Sequence, residues 1–352
     1  MSDASSFPRS FRDGDQDDVE AGLESASGRP PTFSIVLAAY NVAEYVGEAI
    51  ESVLAQTDPD WHLLVIDDGS TDDLDAVLRR FDDSRLRIVS QPHLGLGAAR
   101  QNGLSKARGE IIVLLDGDDR LRPTALATFR RSLAAAPETG LVFGRRALCG
   151  QDGRVVGSPQ RWRIRRRMKG RVLRRVLAAC PITTLGQAAF RRSVLDRTGG
   201  YPADYSGSGD WYFCAILAAA TPFAEVDDIV LDYRLRNDSL VRNWGRQART
   251  SEALNIEEFA PMIRQMYDSP LIRQSLAPNV LRRLERRSRS QAYCIKGYEC
   301  LRTRYWATAR RYLQRGLRDY PLNATALGCL VLAQLHWLPG FLRATIGHEE
   351  LN

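Results

Sequence analysis

The sequence predicts an α/β protein in which a mainly parallel sheet is flanked by helices on both faces, with a helical extension after it. Three observations carry this. Short apolar runs rich in Ile, Val and Leu recur at 33–40, 61–67, 86–90 and 110–116. Segments with helical apolar spacing follow the first, second and fourth runs. The repeat of roughly 25 residues suits strand–crossover–strand units, which make parallel neighbours and cover both sheet faces.

The elements follow in order. "FSIVLAAY" (33–40) reads as a buried strand, and Val46, Ala49, Ile50, Val53 and Leu54 then form one helical stripe. "WHLLVID" (61–67) is the second strand, followed by a helical pattern at Leu74, Val77, Leu78 and Phe81. "LRIVS" (86–90) and "EIIVLLD" (110–116) are the third and fourth strands. Pro123 stands where a first helical residue would be, with Leu126, Phe129 and Leu133 on one face. "GGYPADYSGSGDWYFCAILAAA" (199–220) is a glycine-rich loop entering an apolar helix, and "AEVDDIVLDYRL" (224–235) gives one or two strands. Beyond about 245 the pattern is helical. There Gly297, Ala309, Leu313, Gly316 and Pro321 have the spacing of one tetratricopeptide-type helix pair, which must dock on the main domain to bury its face.

Composition excludes several classes. At 352 residues, 44% hydrophobic and 26% charged, the chain has ordinary globular values and room for a large domain plus an appendage. Its six cysteines are scattered without a C-x-x-C pair, against a disulfide framework or a zinc site and in favour of reduced thiols. There is no run of eighteen apolar residues, and the acidic N-terminus is unlike a signal peptide, so a cytoplasmic protein is expected. Residues 1–30, with seven acidic and three basic side chains, read as a disordered tail. The expected division is 1–30 tail, 31–243 main domain and 244–352 helical region.

In a parallel sheet, ligands bind beyond the carboxyl ends of the strands. Tyr40, Asp67, Asp68, Asp116 and Asp118 all fall at those ends. In "LLDGDDR" (114–120) alternation puts Asp116 and Asp118 on the same side. Two converging carboxylates repel when bare and are favourable around Mg²⁺ or Mn²⁺, which takes one or two protein carboxylates and completes its shell with water and phosphates. A solvated acidic turn, with Asp116 or Asp119 capping the next helix, is the plain alternative. In "VIDDGSTDD" (65–73) an acid at the strand end can accept from a base N–H or a ribose hydroxyl, while Ser70 or Asp72 can simply cap a helix. Tyr40 is a stacking surface for a base or a rim residue. Asp210 is a general base or the N-cap of the helix that follows it.

With these residues in place the chain resembles family-2 glycosyltransferases with the GT-A fold. The likeness runs through "SIVLAAYNVAEYVGEAIESVLAQTDPDWHLLVIDDGSTDD", "HLGLGAARQNGLSKARGEIIVLLDGDD" and "SGDWYFCAIL", covering about 32–240. It implies a Rossmann-like sheet and inverting transfer from a nucleotide-diphosphate sugar, usually with a divalent metal. It places Tyr40 and the backbone around Ala38 at the base, Asp68 on the base, Arg100 near the donor, Asp116 on the ribose or metal, Asp118 on the metal, and Asp210 as general base. Three departures stand out: Ala38 where members often have Pro, Gln101 where Asn often follows the arginine, and Gly209 where an acid often precedes the base.

Inverting displacement needs a base for the acceptor hydroxyl and charge stabilisation for the leaving diphosphate, and these residues offer both. The expected partners are a nucleotide-diphosphate sugar and a carbohydrate or lipid-linked acceptor. A dinucleotide fold fails, because Arg100 takes the third glycine position in "GLGAAR" (95–100). A nucleotidyltransferase would want a basic glycine-rich loop after the first strand, which "AAYNVAEYV" lacks. A catalytically silent sugar-nucleotide binder with a partner-recruiting helical tail is the alternative outside enzymology. Residues 161–175 hold nine basic side chains and no acid. They read as a solvated loop, a contact with an anionic membrane at its inner face, or a site for an acidic polymer; no nucleic-acid motif accompanies them.

Overall fold

A computed structural model describes residues 31–156, 169–203, 209–236, 256–302 and 305–334. The proposed tail (1–30), most of the basic stretch and the proposed domain boundary near 243 lie outside these residues. The elements are β1 (Phe33–Ala39), α1 (Ala43–Leu54), β2 (Trp61–Asp67), α2 (Leu74–Leu78), β3 (Leu86–Ser90), α3 (Leu96–Lys106) and β4 (Ile111–Asp116). Next come β5 (Arg120–Leu121), α4 (Ala125–Ala135), β6 (Leu141–Cys149), β7 (Lys169–Gly170), α5 (Leu173–Ala178), β8 (Ala188–Arg191) and α6 (Arg192–Thr198). The chain continues through α7 (Gly209–Ala220), β9 (Phe223–Arg234), α8 (Ile256–Asp268), α9 (Pro270–Ser275), α10 (Pro278–Arg302), α11 (Trp306–Asp319) and α12 (Ala324–Gln334).

Among the described residues the strands form one sheet in the order β3-β2-β1-β4-β8-β6-β9-β5, with β7 beside β9. Strands β3, β2, β1 and β4 are parallel, as the apolar runs predict. Past β4 the sheet becomes mixed, because β8 runs antiparallel to both β4 and β6. The inner strands are buried on both faces. Ile35 and Leu37 of β1 point into a core with Val46 and Ile50 of α1 and with Leu126 and Phe129 of α4. Val36 and Ala38 point the other way, into a core with Leu104 of α3, Phe213 and Leu217 of α7, and Met262 and Met266 of α8. This second core draws α8 and α10 into the main body, where Ser288 of α10 also donates to the carbonyl of Leu177 at 2.5 Å.

Two expectations shift. Helix α4 begins at Ala125 rather than Pro123, whose carbonyl instead accepts from Thr57 N–H at 2.9 Å. The helix after β2 stops at Leu78, and Val77 and Phe81 rest half-buried near Gly47 of α1. None of the six cysteines is in a disulfide. Among the described residues, no helix is long and apolar enough to cross a membrane.

Candidate active site

The parallel register sets Ala39 beside Asp67 and Ala38 beside Asp116, so the ends of β1, β2 and β4 form one edge. Onto this edge α3 projects Arg100. Its guanidinium is 2% exposed and forks between two acids: Nη2 donates to Asp116 Oδ1 at 2.6 Å and Nη1 to Asp210 Oδ1 at 2.6 Å. Asp116 ends β4 and Asp210 opens α7, so one cation ties positions far apart in the chain. Burying an arginine is tolerable only when its charge is met, and two short charge-assisted bonds meet it. Thr184 Oγ1 donates to the other Asp116 oxygen at 3.2 Å.

Tyr201 completes the group. Its hydroxyl donates to Asp210 Oδ1 at 2.7 Å and accepts from Arg100 Nη1 at 2.8 Å. Burial pushes this phenol well above its ordinary range, so it stays protonated and can donate. Burial likewise raises the Asp210 carboxyl above the usual carboxylate range; Arg100 opposes the shift, and Asp116 adds to it. Asp210 therefore sits inside the first turn of α7 with Oδ1 held by Arg100 and Tyr201, rather than capping the helix.

The crowding of acids after β4 is relieved by arginines at the end of β9. Arg236 Nη1 lies 3.1 Å from Asp118 Oδ2, and Arg234 Nε donates to the Asp118 carbonyl at 2.9 Å. Asp119 is buried; it accepts from Arg234 N–H at 2.9 Å and so anchors the turn to β9 instead of capping α4. Its other oxygen is buried without a partner, and burial with two neighbouring carboxylates holds this carboxyl well above its ordinary range. Asp118 is raised too, by burial first and by Asp116 second.

The second flank of the edge is built around Asp68, which is 2% exposed. One of its oxygens accepts from Gln91 Nε2 at 2.6 Å and Leu94 N–H at 2.9 Å; the other accepts from Gly95 N–H at 2.8 Å and faces His93 Nδ1 at 2.8 Å. Nδ1 also faces the Asp68 carbonyl, so it carries the ring proton. Asp68 thus fixes the loop 91–95, and Gly95, at φ 92°, supplies the backbone conformation that a side chain would resist. The loop brings His93 against Tyr40, their rings stacked with centroids 3.9 Å apart. Tyr40 is exposed, whereas Ala38 is buried and its carbonyl is taken by Gly117 N–H.

Of the residues singled out from sequence, Arg100, Asp116 and Asp210 meet in one hydrogen-bonded group, with Asp118 next to it. Tyr40 stands on the flank that Asp68 holds, and the Asp68 carboxylate faces its own loop. Tyr201, Thr184, His93, Arg234 and Arg236 were not anticipated. Only Tyr201, in the "GGY" ahead of the helix, and the arginines in "YRLR" at the strand end carried a signal in hindsight. Two departures from the family pattern find a cause here. Gln101 reaches Tyr201 N–H at 2.7 Å, and a Cβ on Gly209 would sit 2.5 Å from the Tyr201 hydroxyl.

The donor set after β4 fits a hard divalent cation. Asp116 and Asp118 are both partly open to solvent and repel one another, and such an ion takes only one or two protein carboxylates. Among the described residues no group of three His, Cys, Asp or Glu side chains could hold a metal by itself, so the remaining ligands would be water and phosphate.

Residues 34–199 match the family model described as Glycosyl transferase family 2. Chondroitin synthase of Escherichia coli is 34% identical over 224 residues, covering 62% of this chain and 31% of that protein. The chain spans less than two thirds of the length of the curated relatives it matches. S. aureus TarS 1–349 in complex with UDP-GlcNAc superposes with a TM-score of 0.60 at 16% identity, over 86% of this chain and 90% of that one. Mannosyltransferase PcManGT from Pyrobaculum calidifontis, in complex with GDP-Man and Mn²⁺, gives 0.57 at 21% identity, over 90% and 83%. At these identities the two structures share the GT-A fold. Over the segment that carries β1 to β8, with Arg100, Asp116 and Asp118, this chain thus matches glycosyl transferase family 2.

Proposed function

We propose that this protein transfers a sugar, with inversion, from a nucleotide-diphosphate donor to an acceptor hydroxyl during polysaccharide or glycoconjugate assembly. The observation that carries the reading is the Arg100 bridge, which holds Asp116 and Asp210 on opposite sides of one guanidinium. Arg100 and Tyr201 fix one oxygen of Asp210, leaving the other to take the proton of the attacking hydroxyl. A single base facing a single leaving group suits one in-line displacement, and that inverts the anomeric carbon.

On the donor side, Tyr40 offers an exposed ring for the base beside the loop that Asp68 secures. Asp118, with Asp116 next to it, would hold Mg²⁺ or Mn²⁺, which when bound stabilises the charge gathering on the departing diphosphate. Arg236 beside Asp118 supplies positive charge in the same place. The acceptor would be a carbohydrate or a lipid-linked sugar reached from the cytoplasm; the likeness to the chondroitin synthase supports a carbohydrate. The test is donor turnover: with Mn²⁺ and UDP- or GDP-sugars, the protein releases nucleoside diphosphate slowly without acceptor and faster with it. Donor binding with no release in either condition would make the chain a silent binder.

A further inference from the structure

Residues 278–334 hold twelve Lys and Arg against three Asp and Glu, a net charge of +9 where the whole chain has +7. Helices α10 and α11 bring this charge to the surface. Arg282, Arg283, Arg286 and Arg287 on α10 are exposed, as are Arg311, Arg315 and Arg318 on α11. The α11 set repeats at i, i+4 and i+7, a single stripe along the helix. The two helices lie antiparallel, since Arg286 Nε donates to the Asp319 carbonyl at 3.0 Å while a Cβ on Gly297 would meet Leu313. The Arg287 guanidinium lies 5.9 Å from the centroid of the Tyr320 ring, so the α10 arginines reach the turn after α11.

That turn leads directly to an apolar surface. Leu322 is 78% exposed, Leu327 54% and Val331 46%, and α12 carries no charged side chain. Concentrated positive charge raises the free energy of a folded unit unless an anion shares its field. A dissolved polyanion would satisfy the charge alone. A bilayer of anionic lipid satisfies both halves, because leucine and valine enter the headgroup layer while arginines beside them remain at the phosphates. We infer that α10, α11 and α12 form a peripheral docking surface for an anionic lipid bilayer. The surface shares no residue with the candidate active site, and it does not depend on which reaction that site performs.

Vesicle flotation of the full chain tests this, with phosphatidylcholine alone against phosphatidylcholine mixed with phosphatidylglycerol. Binding to the anionic vesicles should exceed binding to the neutral ones by roughly tenfold or more at physiological salt. Arg282→Gln/Arg283→Gln/Arg311→Gln/Arg318→Gln and, separately, Leu322→Ser/Leu327→Ser/Val331→Ser should each lose most of it. Leu322→Ser alone serves if a multiple variant fails to fold. Equal binding to both vesicle types overturns the inference. So does an apolar variant that binds like wild type while heparin competes, since the partner is then a polyanion. Light scattering that finds a wild-type dimer made monomeric by the apolar substitutions overturns it as well, since the face is then an interface between copies.

Discussion

Gly209 leaves its side-chain position to the hydroxyl of Tyr201: a Cβ at residue 209 would stand 2.5 Å from that oxygen. The two positions are therefore linked. A glycine before the acid admits a buried phenol, and the phenol donates to Asp210 at 2.7 Å while accepting from Arg100 at 2.8 Å. An acidic residue at 209 could not share the site with this tyrosine.

Replacing the hydroxyl alone measures what the linkage contributes. Tyr201→Phe removes one hydrogen bond to a charged carboxylate, an interaction worth about 1.5–3 kcal/mol. Turnover should fall by roughly ten- to a hundredfold with the KM for donor unchanged, and unaltered turnover would show that Arg100 suffices. Gly209→Ala should lower turnover by displacing the same ring.

Asp210→Asn should reduce transfer by about a hundred- to ten-thousandfold, the usual worth of a general base, while calorimetry shows donor binding retained. Equal turnover in this variant removes Asp210 as base. The base must be ionised, and burial raises its carboxyl. The acid-side fall in kcat should therefore lie at higher pH than an exposed aspartate would give.

Asp118→Ala should weaken metal-dependent donor binding, and chelation of wild type should do the same to a similar extent. A Mn²⁺ titration unchanged by the substitution rejects Asp118 as a ligand. Loss of activity without change in metal affinity would leave Arg236 as the partner that matters.

His62 predicts an acid-sensitive fold. Ser34 Oγ accepts from the N–H groups of Gly109 and Arg108, so its own proton goes to His62 Nε2, and the imidazole stays neutral. Burial, with Arg108 and Arg192 nearby, lowers His62 to about 4 from 6.5. The unfolded chain therefore takes up the proton first, and stability should decline as pH falls from about 6.5 to about 4. The full loss is on the order of 3 kcal/mol. Denaturant titrations at pH 7 and pH 5 should show the decline, and His62→Gln should flatten it.

The apolar strands were legible because burial on both faces leaves uninterrupted Ile, Val and Leu. Helix α3 was not, because its buried side is Gly97, Ala99, Arg100, Gly103 and Leu104, small residues around a charge instead of an apolar stripe. The acids after β4 were visible as a cluster, but their arginine partners at 234 and 236 lie more than a hundred residues away, joined only through β9. Asp68 was legible as a polar group at a strand end. That its oxygens serve the loop 91–95 follows from the path of that loop, which local pattern does not encode.

Arg100 has one further implication. A planar fork can grip two carboxylates at once, whereas an ammonium on a flexible stem is a single point charge. Lysine at this position would have to choose between the end of β4 and the start of α7, leaving one half-buried carboxylate without this counter-charge. The two halves of the candidate site thus hang on the shape of one side chain as well as on its sign.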